Sequence, residues 1–133
     1  MTQRLSGLGG SCVDVREVRA FVRDVLAKVA ERVDLDDVDV MTSEVVTNAV
    51  RYSRSGKPGG GVYVSIKSAA DRARVEVLDD GGGSSFPRIP EATGDSPESG
   101  RGLLLVEGLS ERWGYEIAEP SSRRVTVWFE VGR

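Results

Sequence analysis

Four residues separate Glu44 from Asn48 in the stretch Thr42 to Ser53, TSEVVTNAVRYS. On a helix that spacing stacks the two side chains on one face, one turn apart. A carboxylate and an amide oxygen placed in this way can hold a reacting hydroxyl or water and a magnesium ion side by side: the first takes up a proton, the second ligates a hard cation. A lone E-x-x-x-N also occurs on ordinary helices as two polar residues, and taken alone the pair reads that way. Asn is a poor choice for a helix interior, because its amide competes with the backbone for hydrogen bonds. Here it stands among strong formers of an apolar face.

A second group lies at Asp79-Asp80-Gly81-Gly82-Gly83, directly after an alternating run. The plain reading is a flexible turn after a strand. Strand alternation puts Asp79 on the same face as Val75 and Val77, so its carboxylate points to the core side. A buried carboxylate is costly unless it is paired or hydrogen-bonded, and a base with an exocyclic amine meets that need. Gly81 and Gly83 let backbone approach a ligand where side chains would not. Asp80 competes for the same role, but alternation gives it the opposite face. The third group is Gly100-Arg101-Gly102 at the start of an apolar run, where a helix N-terminus presents N–H groups to phosphate oxygens. Glycines also serve in plain loop-to-helix turns. The segment is neither a Walker A loop, which needs Lys and Ser/Thr after its glycines, nor a dinucleotide fingerprint following a strand. The signatures of two-lobed protein kinases are absent as well.

Composition narrows the chemistry further. The chain has no histidine, which removes Ser-His-Asp and Cys-His catalysis, histidine metal sites and phosphohistidine. Its single cysteine, Cys12, excludes an internal disulfide and a cysteine-cluster zinc site. With 18 basic against 21 acidic residues, dispersed along the chain, nothing marks a nucleic-acid binder. The opening MTQRLSGLGGSC lacks the apolar core of a signal peptide, and no run approaches a membrane span. The expected location is the cytoplasm. A length of 133 residues with 39% hydrophobic content suits one modest core.

The elements that must position these groups follow from periodicity. Residues 1–12 read as a loose Gly/Ser-rich lead-in with room for one short edge strand, and residues 13–133 as a single domain. Asp14 and Glu17 form a capping pair, and Val15, Val18, Phe21, Val22, Val25, Leu26 and Val29 recur at helical spacing, which predicts a helix over 14–32. The acidic run Asp34 to Asp39 caps a second helix from near Asp36 to near Ser53, with Glu44 and Asn48 at the border of its apolar face. Val62, Val64 and Ile66, then Val75 and Val77, predict an antiparallel hairpin. Residues 84–99 read as a long irregular loop of the kind that often forms a lid. A third helix is expected to begin at the glycines and run through LLLVEGL, followed by a last hairpin, Arg112 to Ala118 and Arg124 to Val131. The whole predicts an α+β two-layer sandwich: about three helices on one face of a mixed, mostly antiparallel sheet.

Taken together, the three groups resemble the motifs of the GHKL, or histidine kinase-like, ATPase superfamily. Glu44 and Asn48 resemble its asparagine box, Asp79-x-Gly81-x-Gly83 its first glycine box, and Gly100-x-Gly102 followed by LLLV its second. The wording TSEVVTNAVRYS, GRGLLLVEGLSERWG and RVTVWFEV is similar to the small serine-kinase anti-sigma factors, over roughly residues 13–131. That resemblance implies a Bergerat-type fold with ATP and magnesium as cofactors, Glu44 as general base and Asn48 as magnesium ligand. It also implies Asp79 as acceptor of the adenine amine, Gly81 and Gly83 as room for the base, and Gly100, Arg101, Gly102 and Leu103 as phosphate contacts. Thr126 takes the place of a threonine beside the adenine, provided that its strand face lies under the helices. Arg51, one turn beyond Asn48, would assist with phosphate charge, a solvated arginine being the plainer reading. The implied partners are an anti-sigma-factor antagonist, phosphorylated on Ser or Thr, and a sigma factor, with the chain a homodimer. The alternative is a non-catalytic module that sequesters a sigma factor with ATP structural or absent. Lacking histidine, the chain cannot phosphorylate a histidine of its own.

Overall fold

A computed structural model describes residues 2–6, 13–29, 33–52, 55, 60–69, 72–81, 98–119, 121 and 124–132. In chain order the elements are β1 (Thr2–Ser6), α1 (Val15–Val29), α2 (Leu35–Tyr52), β2 (Gly61–Ala69), β3 (Arg72–Leu78), α3 (Glu98–Leu109), β4 (Arg112–Glu119) and β5 (Arg124–Gly132). The lead-in thus supplies an edge strand. The predicted helices and hairpins stand within a few residues of their expected bounds, with residues 30–32 outside the described set.

The first two helices, α1 and α2, start where an aspartate can satisfy free N–H groups. Asp14 accepts the N–H of Arg16 at 2.9 Å through its carboxylate and that of Glu17 at 3.1 Å through its carbonyl. The Arg16 hydrogen bond is the main reason that the Asp14 carboxyl sits below its ordinary pKa. At α2, the Asp34 carboxylate accepts from Asp36 and Asp37, at 3.0 and 3.1 Å. Such caps stabilise a helix by satisfying N–H groups that have no partner within it. Arg23 of α1 then reaches Asp36 and Asp39 of α2, fixing which side of α2 faces α1.

The five strands form one sheet in the order β1-β2-β3-β5-β4. Expected to be mixed and mostly antiparallel, it is antiparallel at each of its four described pairings. The alternation that predicted the strands is visible in burial: Val62, Val64 and Ile66, Ala73, Val75 and Val77, and Val125, Val127, Phe129 and Val131 all face one core. The helices cover that face with Val18, Val22 and Leu26 of α1, Val38, Met41, Val45 and Val46 of α2, and Val106 of α3. Each such side chain contributes about 1.5–3 kcal/mol when fully withdrawn from water. The other face of the sheet carries Thr126, Trp128 and Glu130 of β5. There the Arg74 guanidinium lies 3.8 Å from the Trp128 ring centroid, and Arg112 and Arg74 pair with Glu130.

Candidate active site

One row of side chains crosses the helix-covered face at the end where β3 stops. Leu5 is opposite Val62, and Ile117 is opposite Val125. The pairings of Tyr63 with Leu78 and of Leu78 with Thr126, carried one residue on, set Asp79 between Val62 and Val125. The backbone confirms the step, since the Asp79 N–H donates to the Val125 carbonyl at 3.1 Å. Asp79 is therefore the one polar member of an apolar row, facing the core side as alternation requires.

Its carboxylate is held by backbone. Oδ1 accepts the N–H of Gly81 at 2.8 Å and that of Val125 at 3.1 Å. Gly81 takes a positive φ of 80°, a conformation glycine adopts without strain, and this turns its N–H back onto Asp79. Burial pushes the Asp79 carboxyl above its ordinary pKa and the neighbouring Asp80 charge adds to that, while the two backbone hydrogen bonds and Arg124 oppose it. Among the described residues only Oδ1 is engaged, which leaves Oδ2 to accept a donor from outside the protein.

Three elements converge at this end of the sheet. Ser55, three residues past the end of α2, accepts the Asp80 N–H at 3.0 Å, so the C-terminal end of α2 lies beside Asp79. Asn48 stands one turn before that end and Glu44 one turn earlier, both half-buried. Asn48 is nine residues beyond Asp39, a rotation of about 180° on a helix. Because Asp39 pairs with α1, Asn48 and Glu44 look away from α1, to the side where α3 packs. The third element, α3, ends near the opposite end of the sheet, where Glu111 N–H donates to the Glu130 carbonyl. Leu103 and Val106 are buried, so α3 runs back over the sheet. Its 12 residues span ~18 Å, and the strand from Arg112 to Ile117 covers a similar ~17 Å. The N-terminus of α3 thus returns to the level of the Asp79 row.

Glu44, Asn48, Asp79 and Gly81 thus stand at one end of the sheet, the level to which the length of α3 carries its first turn. The structure alters the expected phosphate contacts, because α3 begins at Glu98 rather than at the glycines. The unpaired N–H groups of its first turn belong to about Glu98 to Gly100, whereas those of Gly102 and Leu103 fall within the helical ladder. Gly100 and Arg101 are in this turn as backbone, Gly102 follows it, and the Leu103 side chain is core. Gly83 and the expected lid up to residue 97 lie outside the described residues. Arg51 is exposed in the last turn of α2.

Thr126 requires a correction. The condition set for it fails: Val125, Val127 and Phe129 face the helices, and Thr126 shares the open face with Trp128. The β5 residue beside the Asp79 carboxylate is Val125, one position earlier. Strand alternation in RVTVWFEV already indicated this face. Sequence reasoning also missed Ile117, on the same row as Asp79 and exposed although apolar. The signal for it was the alternation Trp113, Tyr115, Ile117 in β4.

The donor set fits a magnesium ion carried by a phosphate ligand. Mg²⁺ is usually bound through one or two protein oxygens, with phosphates and water completing an octahedron. Asn48 offers one neutral oxygen on a half-buried border, with the Glu44 carboxylate one turn away. No group of three or more His, Cys, Asp or Glu able to hold a metal occurs among the described residues.

The sequence model of the family described as histidine kinase-like ATPase domain matches residues 10–129. The chain is 33% identical over 125 residues to the serine-protein kinase RsbW of Bacillus velezensis, covering 84% of this chain and 76% of that protein. RsbW of Bacillus subtilis is 30% identical over 125 residues, with the same coverage. Among solved structures, the nucleotide-free catalytic domain of the histidine kinase ThkA superposes with a TM-score of 0.54 at 18% identity, over 89% of this chain and 88% of that one. That likeness concerns the fold. The chain belongs to the histidine kinase-like ATPase domain family, among relatives of the RsbW serine-protein kinases.

Proposed function

We propose that the chain binds ATP with magnesium and transfers its γ-phosphoryl group to a serine or threonine of a small protein antagonist, while acting as an anti-sigma factor in the cytoplasm. The observation that carries this reading is the Asp79 carboxylate. It is placed in an apolar row with one oxygen satisfied by backbone and the other open to an amino group, beside Asn48, Glu44 and the α3 N-terminus. A 6-amino purine supplies the missing donor, and Val125 and Ile117 offer apolar surface next to it.

In this reading the triphosphate lies between α2 and the first turn of α3, whose N–H groups and dipole favour anionic oxygens. Asn48 would hold the magnesium, which when bound would neutralise phosphate charge. Glu44 accepts the proton of the attacking hydroxyl as its oxygen bonds to the γ-phosphorus; the bond to the β,γ-bridging oxygen breaks and ADP leaves. The names of the RsbW relatives support serine as acceptor. No helix of the described residues is long and apolar enough to cross a membrane, in keeping with the proposed location.

A second reading, non-catalytic sequestration of a sigma factor, draws on the apolar side chains exposed on α3 and β4: Leu104, Leu105, Tyr115 and Ile117. The two readings separate at Glu44. Glu44→Ala is expected to bind ATP with magnesium about as tightly as the wild type and to lower phosphate transfer by ~10²–10⁴-fold, the usual contribution of a positioned base. Transfer of radiolabelled γ-phosphate to a purified antagonist protein measures this. Transfer at the wild-type rate would remove Glu44 from the mechanism.

A further inference from the structure

Asp80, which competed with Asp79 for the base-reading role, has a different occupation. Its Oδ2 accepts the N–H of Gly61, the first residue of β2, at 2.8 Å. The Gly61 carbonyl in turn accepts the Ser55 hydroxyl at 2.8 Å, and Ser55 Oγ accepts the Asp80 N–H at 3.0 Å. Three residues from three segments thus close a ring of hydrogen bonds in which each group donates to the next. Ser55 and Gly61 are buried and Asp80 is half-buried, so water does not replace a lost member of the ring without cost.

The ring sits between the two halves of the candidate site. Asp80 follows Asp79 directly. Ser55 follows Tyr52 by three residues, a covalent tether of at most ~10 Å. On its other side Asp79 is already fixed, with its N–H on the Val125 carbonyl and its own carbonyl accepting Arg124 Nε at 3.1 Å. The Ser55 ring therefore supplies the link from the Asp79 strand end to α2, which carries Asn48 and Glu44.

We infer that Ser55 and Asp80 are positioning residues that set the Asp79 carboxylate against the C-terminal end of α2, so that a nucleotide anchored on α2 and α3 meets Asp79 only with a 6-amino purine. This rests on the ATP-binding reading and adds to it what makes the base preference sharp. A loosened Asp79 would still let the triphosphate bind, because the phosphate contacts lie on α2 and α3. It would no longer discriminate strictly at the base.

The test compares, by titration calorimetry with magnesium at a temperature where each protein is folded, three ligands: ATP, inosine triphosphate, which carries an oxo group in place of the amine, and inorganic tripolyphosphate. The wild type prefers ATP to inosine triphosphate. Ser55→Ala, which removes the acceptor of the Asp80 N–H and the donor to the Gly61 carbonyl, reduces that preference about tenfold, the equivalent of ~1.4 kcal/mol, and leaves tripolyphosphate affinity unchanged. Ser55→Thr keeps the hydroxyl and restores the preference. Asp80→Ala repeats the test from the other side of the ring, and Asp80→Asn, which keeps an oxygen acceptor for Gly61, restores it. Weakening of all three ligands by the same factor would show a disturbance of the whole site rather than of the base contact and would overturn the inference, as would an unchanged ATP preference in both alanine variants. A wild type that binds no ATP at all fails at the earlier step: it removes the nucleotide reading itself, and this role with it.

Discussion

Asp79→Asn separates the role of Asp79 in binding from its cost to the fold. An asparagine oxygen in place of Oδ1 keeps the hydrogen bonds from Gly81 and Val125, because both donors converge on that atom. The amide nitrogen then occupies the position of Oδ2, and an acceptor becomes a donor. For ATP the base amine meets another N–H, and a hydrogen bond to a charged group is lost. Such a bond contributes about 1.5–3 kcal/mol, so ATP affinity falls by ~10- to 150-fold. Inosine triphosphate, whose oxo group can accept from the new amide, loses less. The unliganded protein changes in the opposite direction. Burial raises the Asp79 pKa above the 3.8 of an ordinary aspartate. Between 3.8 and that raised value the folded chain holds a proton that the unfolded chain has released, so stability falls as pH rises through this window. At neutral pH the cost of ionised burial is complete. Asp79→Asn removes it, and the variant melts higher than the wild type at pH 7. The difference shrinks as the pH is lowered through the window and Asp79 takes up its proton in both states. Thermal melting against pH, with calorimetric titration of ATP, measures both effects. A variant that melts lower than the wild type at pH 7, or one that binds ATP as tightly, refutes the reasoning.

Three further substitutions probe the frame around the site. Gly81→Ala forces a side chain into the left-handed region and misdirects the N–H that holds Asp79; it should destabilise the fold by about 1 kcal/mol or more and weaken ATP binding, both read from melting curves with and without nucleotide. The Thr42 hydroxyl is fully buried in α2 without a hydrogen-bond partner among the described residues. Thr42→Val keeps the shape and removes the unsatisfied group, so it should raise the melting temperature by the equivalent of ~1 kcal/mol, and a marked fall would show that the hydroxyl is satisfied in solution. On the open face, a Cβ at Gly114 would come within 2.8 Å of the Trp128 ring. Gly114→Ala should cost about 1–3 kcal/mol through overpacking and leave nucleotide affinity unchanged, which makes it a control for effects of stability alone.

Periodicity made most of the fold legible. The valine-rich alternation of β2, β3 and β5 and the 3.6-residue spacing of α1 and α2 are local signals, and each element formed close to where its pattern lay. The strand order was not legible, because inserting β5 between β3 and β4 depends on non-local pairing that no short window encodes. The start of α3 shifted for a local reason: glycine at positions 100 and 102 suggested a loop, but the helix extends back to Glu98. In the site, the border position of Glu44 and Asn48 on α2 and the inward direction of Asp79 followed from period alone. Thr126 shows where likeness of wording and strand alternation disagree, and alternation prevailed: Val125 carries the N–H that reaches Asp79. The ring through Ser55, Asp80 and Gly61 had no sequence signature, since its members lie 6 to 25 residues apart and meet only after the sheet has formed.

The central claim, that this fold houses a magnesium nucleotide, is most directly tested by thermal melting of the purified chain alone, with ADP, and with ATP plus magnesium. A ligand that binds only the native state, at a hundred times its dissociation constant, adds ~2.7 kcal/mol, which for a domain of this size raises the melting temperature by on the order of 10 °C. That rise is expected with ATP and magnesium, as the central claim requires, and its loss in Asn48→Ala when magnesium is present. A melting temperature that does not move with saturating ATP and magnesium contradicts it.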